Sequence, residues 1–177
     1  MRTLGLIPAR GGSKRLPGKN VAWVAGKPLI FWTIEAAMHS RLDEVWVSTE
    51  DADIREICRD SVKVVHRPAE LATDLASMES VLQDLAKHAR GFERIMLLQP
   101  TSPLRTAAHI DAALWLDLPC VSVFEFEPMR YERNGAIYLM DSDRLMHFEA
   151  AFPIMTADES VDIDTMEDLE RAEALLT

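Results

Sequence analysis

Cationic side chains and a pair of adjacent glycines are concentrated in one short stretch near the beginning of the sequence. In chain order these residues are Arg10, Gly11, Gly12, Lys14, Arg15 and Lys19. Because glycine has no Cβ, backbone N–H groups in such a stretch can approach a phosphate closely. Arginine and lysine neutralise the charge of phosphoryl groups. The stretch therefore predicts a loop that binds a small anion such as a nucleoside triphosphate, with a solvated basic loop as the alternative.

Two common phosphate-binding motifs do not fit this stretch. A P-loop needs four residues between its first glycine and a Gly-Lys pair that is followed by Ser or Thr. Here five residues separate Gly12 from Gly18, and Asn20 follows Lys19. The three spaced glycines of dinucleotide-binding proteins are also absent. The predicted phosphate site is therefore of a different kind.

Two aspartates far along the chain are the second candidate for chemistry. Asp162 and Asp164 are separated by one residue, so on an extended segment both carboxylates project to the same side. Carboxylate oxygens are preferred ligands of Mg²⁺, and two of them can hold one ion. Asp164 is also placed to cap the helix that we predict after it, which is the structural alternative.

Polar side chains also fill two later loops. The stretch from Gln99 to Arg105 combines an amide, two hydroxyls and an arginine with two prolines. Arg105 could form a two-pronged hydrogen bond with a ligand carboxylate, or it could tie the loop to its neighbours. Arg67 stands directly before a proline, and the alternative to a binding role is an ordinary surface arginine.

Apolar runs and amphipathic patterns predict the elements that position these loops. The predicted strands are Thr3–Pro8, Glu44–Thr49, Val62–His66, Arg94–Leu98 and Cys120–Phe124. The predicted helices between them begin at Pro28 and after Asp51 or Asp53, and then span Ser77–Ala89 and Thr106–Leu116. This alternation predicts an α/β fold with an open, mostly parallel, Rossmann-like sheet flanked by helices.

The pattern changes after Phe126. There we predict a strand at Ala136–Met140, a short helix at Ser142–His147, an edge strand at Pro153–Thr156, and a last helix capped by Asp164 or Thr165. We treat residues 1–177 as one domain. Since ligands of open α/β sheets bind at the carboxyl ends of strands, the loops after the first, third and fourth strands are expected to carry the site.

Composition and charge exclude several classes of function. Hydrophobic residues make up 48% of the 177 residues and charged residues 27%, which is ordinary for a globular protein. The net charge of −10 argues against binding to nucleic acids or membrane surfaces. The longest apolar runs are far shorter than the roughly 20 residues of a membrane span. No signal-peptide pattern is present, so a cytoplasmic location is expected.

The stretch from Ile7 to Asn20 resembles the signature loop of the acylneuraminate (CMP-sialic acid) cytidylyltransferases and their nonulosonate relatives. Further segments resemble that family in the same order along the chain. They are Gly26–Leu29, Val47–Thr49, Arg67–Asp74, Leu98–Arg105, Asn134–Tyr138 and Ser160–Thr165. The related enzymes that activate the sugar KDO have a similar first loop but lack the Gly-Gly-Ser-Lys run. A resemblance that covers nearly the whole chain in one order is specific.

The resemblance implies a nucleotidyltransferase sheet and a role for each matched residue. The implied CTP-binding residues are Ala9, Arg10, Gly11, Gly12, Ser13, Lys14, Lys19, Asn20 and Arg67. Arg10 and Lys19 are the expected catalytic residues, stabilising charge at the α-phosphate. The acceptor, an acidic sugar, is expected to contact Gln99, Arg105, Asn134 and Tyr138, while Asp162 and Asp164 are expected to bind Mg²⁺ as the cofactor. The implied reaction is transfer of CMP from CTP to the anomeric hydroxyl of a sialic-acid-like nonulosonate, with release of pyrophosphate.

The chain departs from the family pattern between residues 124 and 158. Ten residues separate Val123 from Asn134, where family members have a longer insertion that contributes to dimerisation and partly covers the sugar. A homodimer is therefore a weaker expectation than the nucleotide site. Two other hypotheses stay open: a cytidylyltransferase for a smaller acceptor such as a phosphonate, and a CTP-binding module without turnover. The enzyme assignment requires the first loop and the aspartate pair to meet at one triphosphate.

Overall fold

A computed structural model describes residues 1–127 and 130–177. The strands are β1 (Thr3–Pro8), β2 (Trp23–Val24), β3 (Lys27–Pro28), β4 (Glu44–Thr49), β5 (Lys63–His66), β6 (Arg94–Leu98), β7 (Cys120–Glu127), β8 (Arg130–Asp141) and β9 (Ala150–Pro153). The α-helices are α1 (Leu29–Met38), α2 (Ala52–Cys58), α3 (Met78–Ala86), α4 (Ala107–Trp115) and α5 (Met166–Leu176). Short 3₁₀ turns lie at Lys19–Val21 and Ala69–Leu71.

Seven of the described strands form one sheet in the order β5-β4-β1-β6-β8-β7-β9. The pairs β5–β4, β4–β1 and β1–β6 are parallel, and β9 runs parallel to β7. Strand β8 lies between β6 and β7 and is antiparallel to both. The predicted open, mostly parallel sheet flanked by helices is therefore confirmed. Strands β2 and β3 form a separate two-stranded ribbon.

Strands β1 and β6 are buried along their whole length because helices cover both faces of the sheet. Successive residues of β6 alternate between two cores: Met96 and Leu98 belong to one, and Ile95 and Leu97 to the other. Helices α1, α2 and α4 bury apolar side chains in the first core, and α3 does so in the second. This arrangement leaves the carboxyl ends of β1, β4, β5 and β6 at one edge.

A third, smaller apolar cluster joins the two ends of the chain. Its buried members are Leu16, Val24, Leu29, Val161, Ile163, Leu169 and Ala172. Leu16 belongs to the cationic loop, Val161 and Ile163 flank Asp162, and the last two members lie on α5. Burying a leucine or isoleucine side chain contributes about 2 kcal/mol. The cluster therefore fastens the aspartate segment against the first loop.

Polar side chains cap the helices where the sequence predicts caps. The Asp51 carboxylate accepts hydrogen bonds from the backbone N–H groups of Asp53 and Ile54, each at 2.9 Å. At α5 the cap is Thr165, whose hydroxyl accepts from the Asp168 N–H while the Asp168 carboxylate accepts from the Thr165 N–H. Asp164 is therefore not the helix cap, and its carboxylate is available for other contacts.

The structure corrects the predictions for the segment after β7. Residues 142–147 form turns and not a helix, and Met146 has a φ of 59°, a left-handed conformation that a helix does not accommodate. The predicted strand at 136–140 is the second half of the longer β8. The edge strand ends at Pro153 and does not begin there, because residues 150–153 pair with β7. Among the described residues, no helix is long and apolar enough to cross a membrane.

A histidine completes the cap of α4. The Thr106 hydroxyl accepts from the His109 N–H at 3.4 Å, and His109 Nδ1 accepts from the Thr106 N–H at 3.1 Å. Nδ1 can accept this bond only while it is unprotonated. Burial lowers the pKa of His109 below its usual 6.5, with Glu159 opposing this shift and Arg105 adding to it.

We expect this cap to make stability depend on pH. The unfolded chain takes up a proton at His109 near pH 6.5 and the folded chain only at lower pH, so protonation favours unfolding. The free energy of unfolding should therefore fall as the pH drops below about 6.5. His109→Gln keeps a side chain that can complete the cap but does not titrate, so it should remove this part of the slope. Urea unfolding at a series of pH values measures it, and equal slopes for both proteins would contradict the expectation.

Candidate active site

The first loop, residues 9–20, crosses the carboxyl ends of β1 and β4 and uses glycine at two positions. The Gly11 N–H donates to Glu50 Oε1 at 2.8 Å. A Cβ at residue 11 would lie 2.1 Å from Asp51 Oδ2, so only glycine fits this approach. Gly18 has a φ of 67° and starts the 3₁₀ turn that carries Lys19 and Asn20. A Cβ at Gly12 would meet nothing within 4 Å, so packing does not require glycine there.

The cations of the first loop pair with two carboxylates. Arg10 Nη1 and Lys14 Nζ each lie 2.6 Å from an oxygen of Asp74. Arg15 Nη2 and Lys19 Nζ lie 2.8 Å and 3.0 Å from Asp164. Asp74 is not among the residues that the sequence predicts for the site. Its segment resembles the family, but an ion pair to a loop 64 residues away leaves no local pattern in the sequence.

The first loop and the aspartate pair meet at Lys19. Its side chain is 13% exposed, and Nζ donates to the backbone carbonyl of Ile163 at 2.7 Å as well as to Asp164. The Ile163 N–H in turn donates to the carbonyl of Thr101 at 2.8 Å. Three segments that are distant in sequence are therefore tied together by hydrogen bonds, and the requirement set by the sequence analysis is met.

A cavity of about 290 Å³ opens where these segments meet. Its lining consists of Arg10, Ser13, Lys14, Arg15, Lys19, Asn20, Asp74 and Asp164. Four cations against two carboxylates make it a positive site in a protein whose net charge is −10. A larger cavity of about 550 Å³ lies between α1 and the end of α5, but its lining is mostly apolar. Charge and not size therefore identifies the candidate anion site.

Arg67 and Asn20 lie beneath the first loop. Arg67 is 4% exposed, and its guanidinium donates to the carbonyl and the hydroxyl of Ser48 at 2.9 Å and 3.3 Å. Burial lowers the pKa of Arg67; Glu50 opposes this and the nearby Arg10 adds to it. The alternative of an ordinary surface arginine is therefore wrong. Asn20 donates to the Arg10 carbonyl at 2.9 Å, which fixes the loop.

Gln99 and Tyr138 face each other across Gly135. Gln99 Nε2 and Tyr138 Oη lie 3.9 Å and 4.0 Å from the position that a Cβ of Gly135 would take. Burial raises the pKa of the Tyr138 hydroxyl, Arg133 opposes the shift and the charge of Asp162 adds to it. Both predicted acceptor-binding side chains therefore lie near Gly135, and the Asp162 carboxylate is close enough to Tyr138 to affect its hydroxyl.

The structure corrects the roles predicted for Arg105 and Asn134. Arg105 is 2% exposed, and its guanidinium donates to the carbonyls of Gln99 and Ala136 and to the Thr33 hydroxyl at 3.0, 2.9 and 2.5 Å. The Asn134 amide is also buried: it donates to Ser160 Oγ and accepts from Ser122 Oγ and the Ala136 N–H. Both side chains are used inside the protein and position the acceptor loops from below.

We expect Arg105→Met to lower the free energy of unfolding by about 3 kcal/mol, because buried carbonyls lose a charged donor. Burial lowers the pKa of Arg105 to about 9, so the group is charged at neutral pH. Arg59→Met, at an exposed arginine that pairs with Glu56, should change stability by less than about 0.5 kcal/mol. Urea unfolding compares the two. A stable Arg105→Met protein with a raised KM for the acceptor would instead support the ligand-binding role.

Asp162 and Asp164 fit the needs of a magnesium ion. Desolvation raises the pKa of Asp162 although the side chain reaches solvent. The Thr101 hydroxyl and Lys19 lower this pKa, and the negative charge of Asp164 raises it further. A cation between the two carboxylates would relieve their repulsion. The described residues contain no cluster of three or more His, Cys, Asp or Glu side chains. Mg²⁺ is usually bound by one or two carboxylates, and phosphate and water oxygens complete its coordination shell.

Comparisons with known proteins identify the family of this chain. The family model described as Cytidylyltransferase matches residues 4–117. An N-acylneuraminate cytidylyltransferase from Streptococcus agalactiae is 43% identical over 118 residues, which are 64% of this chain and 29% of that protein. The aligned part of this chain therefore covers less than a third of the length of that relative. A CMP-N,N'-diacetyllegionaminic acid synthase from Legionella pneumophila is 31% identical over 224 residues, covering 99% of this chain and 97% of the relative.

Solved structures share the fold. A CMP:2-keto-3-deoxy-manno-octonic acid synthetase complexed with CTP has a TM-score of 0.79 at 18% identity, over 99% of this chain and 98% of that one. A cytidylyltransferase from Leptospira borgpetersenii has a TM-score of 0.73 at 21% identity, over 98% of this chain and 86% of that one. With the family model and a relative aligned along almost its whole length, these findings show that the chain belongs to the cytidylyltransferase family of the N-acylneuraminate and legionaminate enzymes.

Proposed function

We propose that the protein transfers CMP from CTP to the anomeric hydroxyl of a sialic-acid-like nonulosonate and releases pyrophosphate. The observation that carries this proposal is the meeting of Lys19 with Ile163 and Asp164. These contacts join the cationic, glycine-containing loop to the segment that carries Asp162 and Asp164, and Asp164 lines the cavity with the loop cations. A triphosphate needs both: cations for its charge, and carboxylates for the metal ion that accompanies it.

The first loop is proposed to hold the triphosphate. Arg10, Lys14 and Lys19 line the cavity and neutralise phosphate charge, while Ser13 and the backbone N–H groups donate hydrogen bonds. Arg10 and Lys19 are proposed to stabilise the extra negative charge that develops at the α-phosphate during transfer. Lys19 is suited to this because the Ile163 carbonyl and Asp164 already hold its ammonium group in place.

The reaction exchanges one bond at phosphorus for another. The anomeric oxygen of the acceptor bonds to the α-phosphorus, and the bond from that phosphorus to the bridging oxygen of pyrophosphate breaks. The hydroxyl gives up one proton, so each turnover yields CMP-sugar, pyrophosphate and a proton. Gln99 and Tyr138 are proposed to orient the acceptor, since both lie near Gly135 and the Tyr138 hydroxyl is within electrostatic reach of Asp162.

Asp162 and Asp164 are proposed to hold Mg²⁺ as the cofactor. When bound, the ion would neutralise phosphate charge and lower the pKa of a hydroxyl that it ligates. The chain's own contribution is to fix the two carboxylates: the Ile163 N–H is bonded to the Thr101 carbonyl, and Asp164 is held by Arg15 and Lys19.

The names of two relatives support the proposed acceptor class. The S. agalactiae and L. pneumophila proteins are named for N-acylneuraminate and for N,N'-diacetyllegionaminic acid, both acidic nine-carbon sugars. The latter is aligned over 224 positions against the 177 residues of this chain, so it carries residues that this chain lacks. With CTP as cosubstrate, a cytoplasmic location is part of the proposal, and a homodimer stays a prediction.

Pyrophosphate release from CTP tests the proposal. The assay contains Mg²⁺ and, in separate reactions, N-acetylneuraminate, legionaminate, pseudaminate, KDO or an aminoalkylphosphonate. We expect turnover with a nine-carbon sugar acid and CMP-sugar as the product, identified by mass spectrometry. Turnover with the phosphonate alone would move the assignment to a smaller acceptor. Binding of CTP without turnover on any acceptor would identify a binding module and refute the proposed reaction.

A further inference from the structure

Asp74 lies on the rim of the triphosphate cavity and has no part in the function proposed above. Its two carboxylate oxygens each take one cation: Oδ1 pairs with Arg10 and Oδ2 with Lys14, both at 2.6 Å. Arg10 and Lys14 line the cavity and are needed by the triphosphate. A carboxylate bridging two cations presents them with the same kind of paired anionic oxygens as a phosphate group.

The segment that carries Asp74 is attached to the first loop through this side chain. In the described part of the chain, the other hydrogen bonds made by residues 72–76 stay within residues 69–76, as between the Thr73 hydroxyl and the Glu70 carbonyl. Leu75 is 97% exposed and so does not anchor the segment in the core. Asp74 can therefore release its cations without breaking hydrogen bonds elsewhere in the protein.

Asp164 differs from Asp74 in this respect. It also pairs with two loop cations, but its own segment is fastened by the Ile163–Thr101 hydrogen bond and by the third apolar cluster. The carboxylate of Asp164 is thus a fixed wall of the cavity, and that of Asp74 is the releasable partner.

We infer that Asp74 is a built-in competitor of the triphosphate, which must displace it from Arg10 and Lys14 in order to bind. The inference rests on the proposed function, since it requires these cations to receive phosphate groups. A residue that merely supports the loop would have the opposite signature, because its removal would weaken binding of the nucleotide. Removal of a competitor strengthens it.

Calorimetric titration with CTP, without an acceptor, tests the inference. Asp74→Asn should lower the Kd for CTP by about three- to tenfold, the range expected for removing one or two exposed ion pairs. The Kd for inorganic tripolyphosphate, which lacks base and ribose, should fall by the same factor. Asp74→Glu retains a carboxylate within reach of both cations and should bind both ligands as the unaltered protein does.

Glu70→Gln is the matched control. It removes one negative charge from an exposed residue in the same segment, and we expect the Kd for CTP to stay within about twofold of the unaltered protein. An unchanged or raised Kd in Asp74→Asn, or an equal gain in Glu70→Gln, would overturn the inference while leaving CTP binding established. If the unaltered protein binds no CTP, the proposed function fails, and the tripolyphosphate titrations still decide whether Asp74 competes for the cations.

Discussion

Lys19→Met is expected to lower kcat for CMP transfer by about 100- to 1,000-fold, the loss typical of removing one donor from developing negative charge. Lys19 is the cation that contacts both the Ile163 carbonyl and Asp164, so its ammonium group is held at the point where the loop and the aspartate segment meet. The fold should remain, because the apolar cluster around Leu16 and Ile163 does not include this side chain. Steady-state pyrophosphate release measures the change in kcat, and circular dichroism checks that the fold is retained.

Lys87→Met is the control for this variant. Lys87 follows α3 and pairs with Asp84 at 3.1 Å, outside the residues that line the cavity. Lys87→Met removes the same charge from the protein as Lys19→Met, so a purely long-range effect of net charge would appear in both variants. Retention of most of the activity in Lys19→Met would mean that the phosphate chemistry takes place elsewhere.

Asp164→Asn is expected to lower kcat by about 100-fold or more and to raise the Mg²⁺ concentration that gives half-maximal activity. Asparagine keeps the shape and can still accept from Arg15 and Lys19, but it lacks the charge that a metal ion requires. Stability should change little, because Thr165 caps α5. Activity measured against Mg²⁺ concentration tests the role in metal binding, and urea unfolding tests whether Asp164 instead supports the structure.

Asp158→Asn serves as its control, since Asp158 is exposed, pairs with Arg171 at 3.3 Å and does not line the triphosphate cavity. Normal dependence on Mg²⁺ in Asp164→Asn, combined with a clear loss of stability, would show that Asp164 only supports the loop. The metal assignment would then be wrong.

The central strands were predictable because burial on both faces leaves an unbroken apolar run. β1, β4 and β6 have the limits that their sequences predict. The position of β8 between β6 and β7 was not predictable, because strand order depends on contacts between residues far apart in the chain. Its length was underestimated because residues 130–133 are exposed and polar. The short helix predicted at 142–147 failed at Met146, whose left-handed backbone has no signature in the residue type.

The candidate site likewise contains residues whose roles could be predicted from the sequence and residues whose roles could not. The first loop and the aspartate pair could be found from residue types and spacing, and their family resemblance supplied a common ligand. Arg105 shows the limit of this reasoning. An arginine at the end of a polar loop could bind a ligand or could hold the loop in place, and its burial in the structure distinguishes the two roles. Asp74 shows the reverse, since an acidic residue in a turn gives no hint of its two distant cations.

Fastening of the aspartate segment by α5 has a consequence for how activity arises during synthesis. Asp164 follows Lys19 by 145 residues, and the apolar contacts that press its segment onto the first loop include Leu169 and Ala172. A nascent chain can thus form much of the parallel sheet on the ribosome while the proposed active site is still incomplete. If the proposed function holds, catalysis requires α5 to dock, and we expect fragments that end before α5 to be inactive even when their sheet is formed.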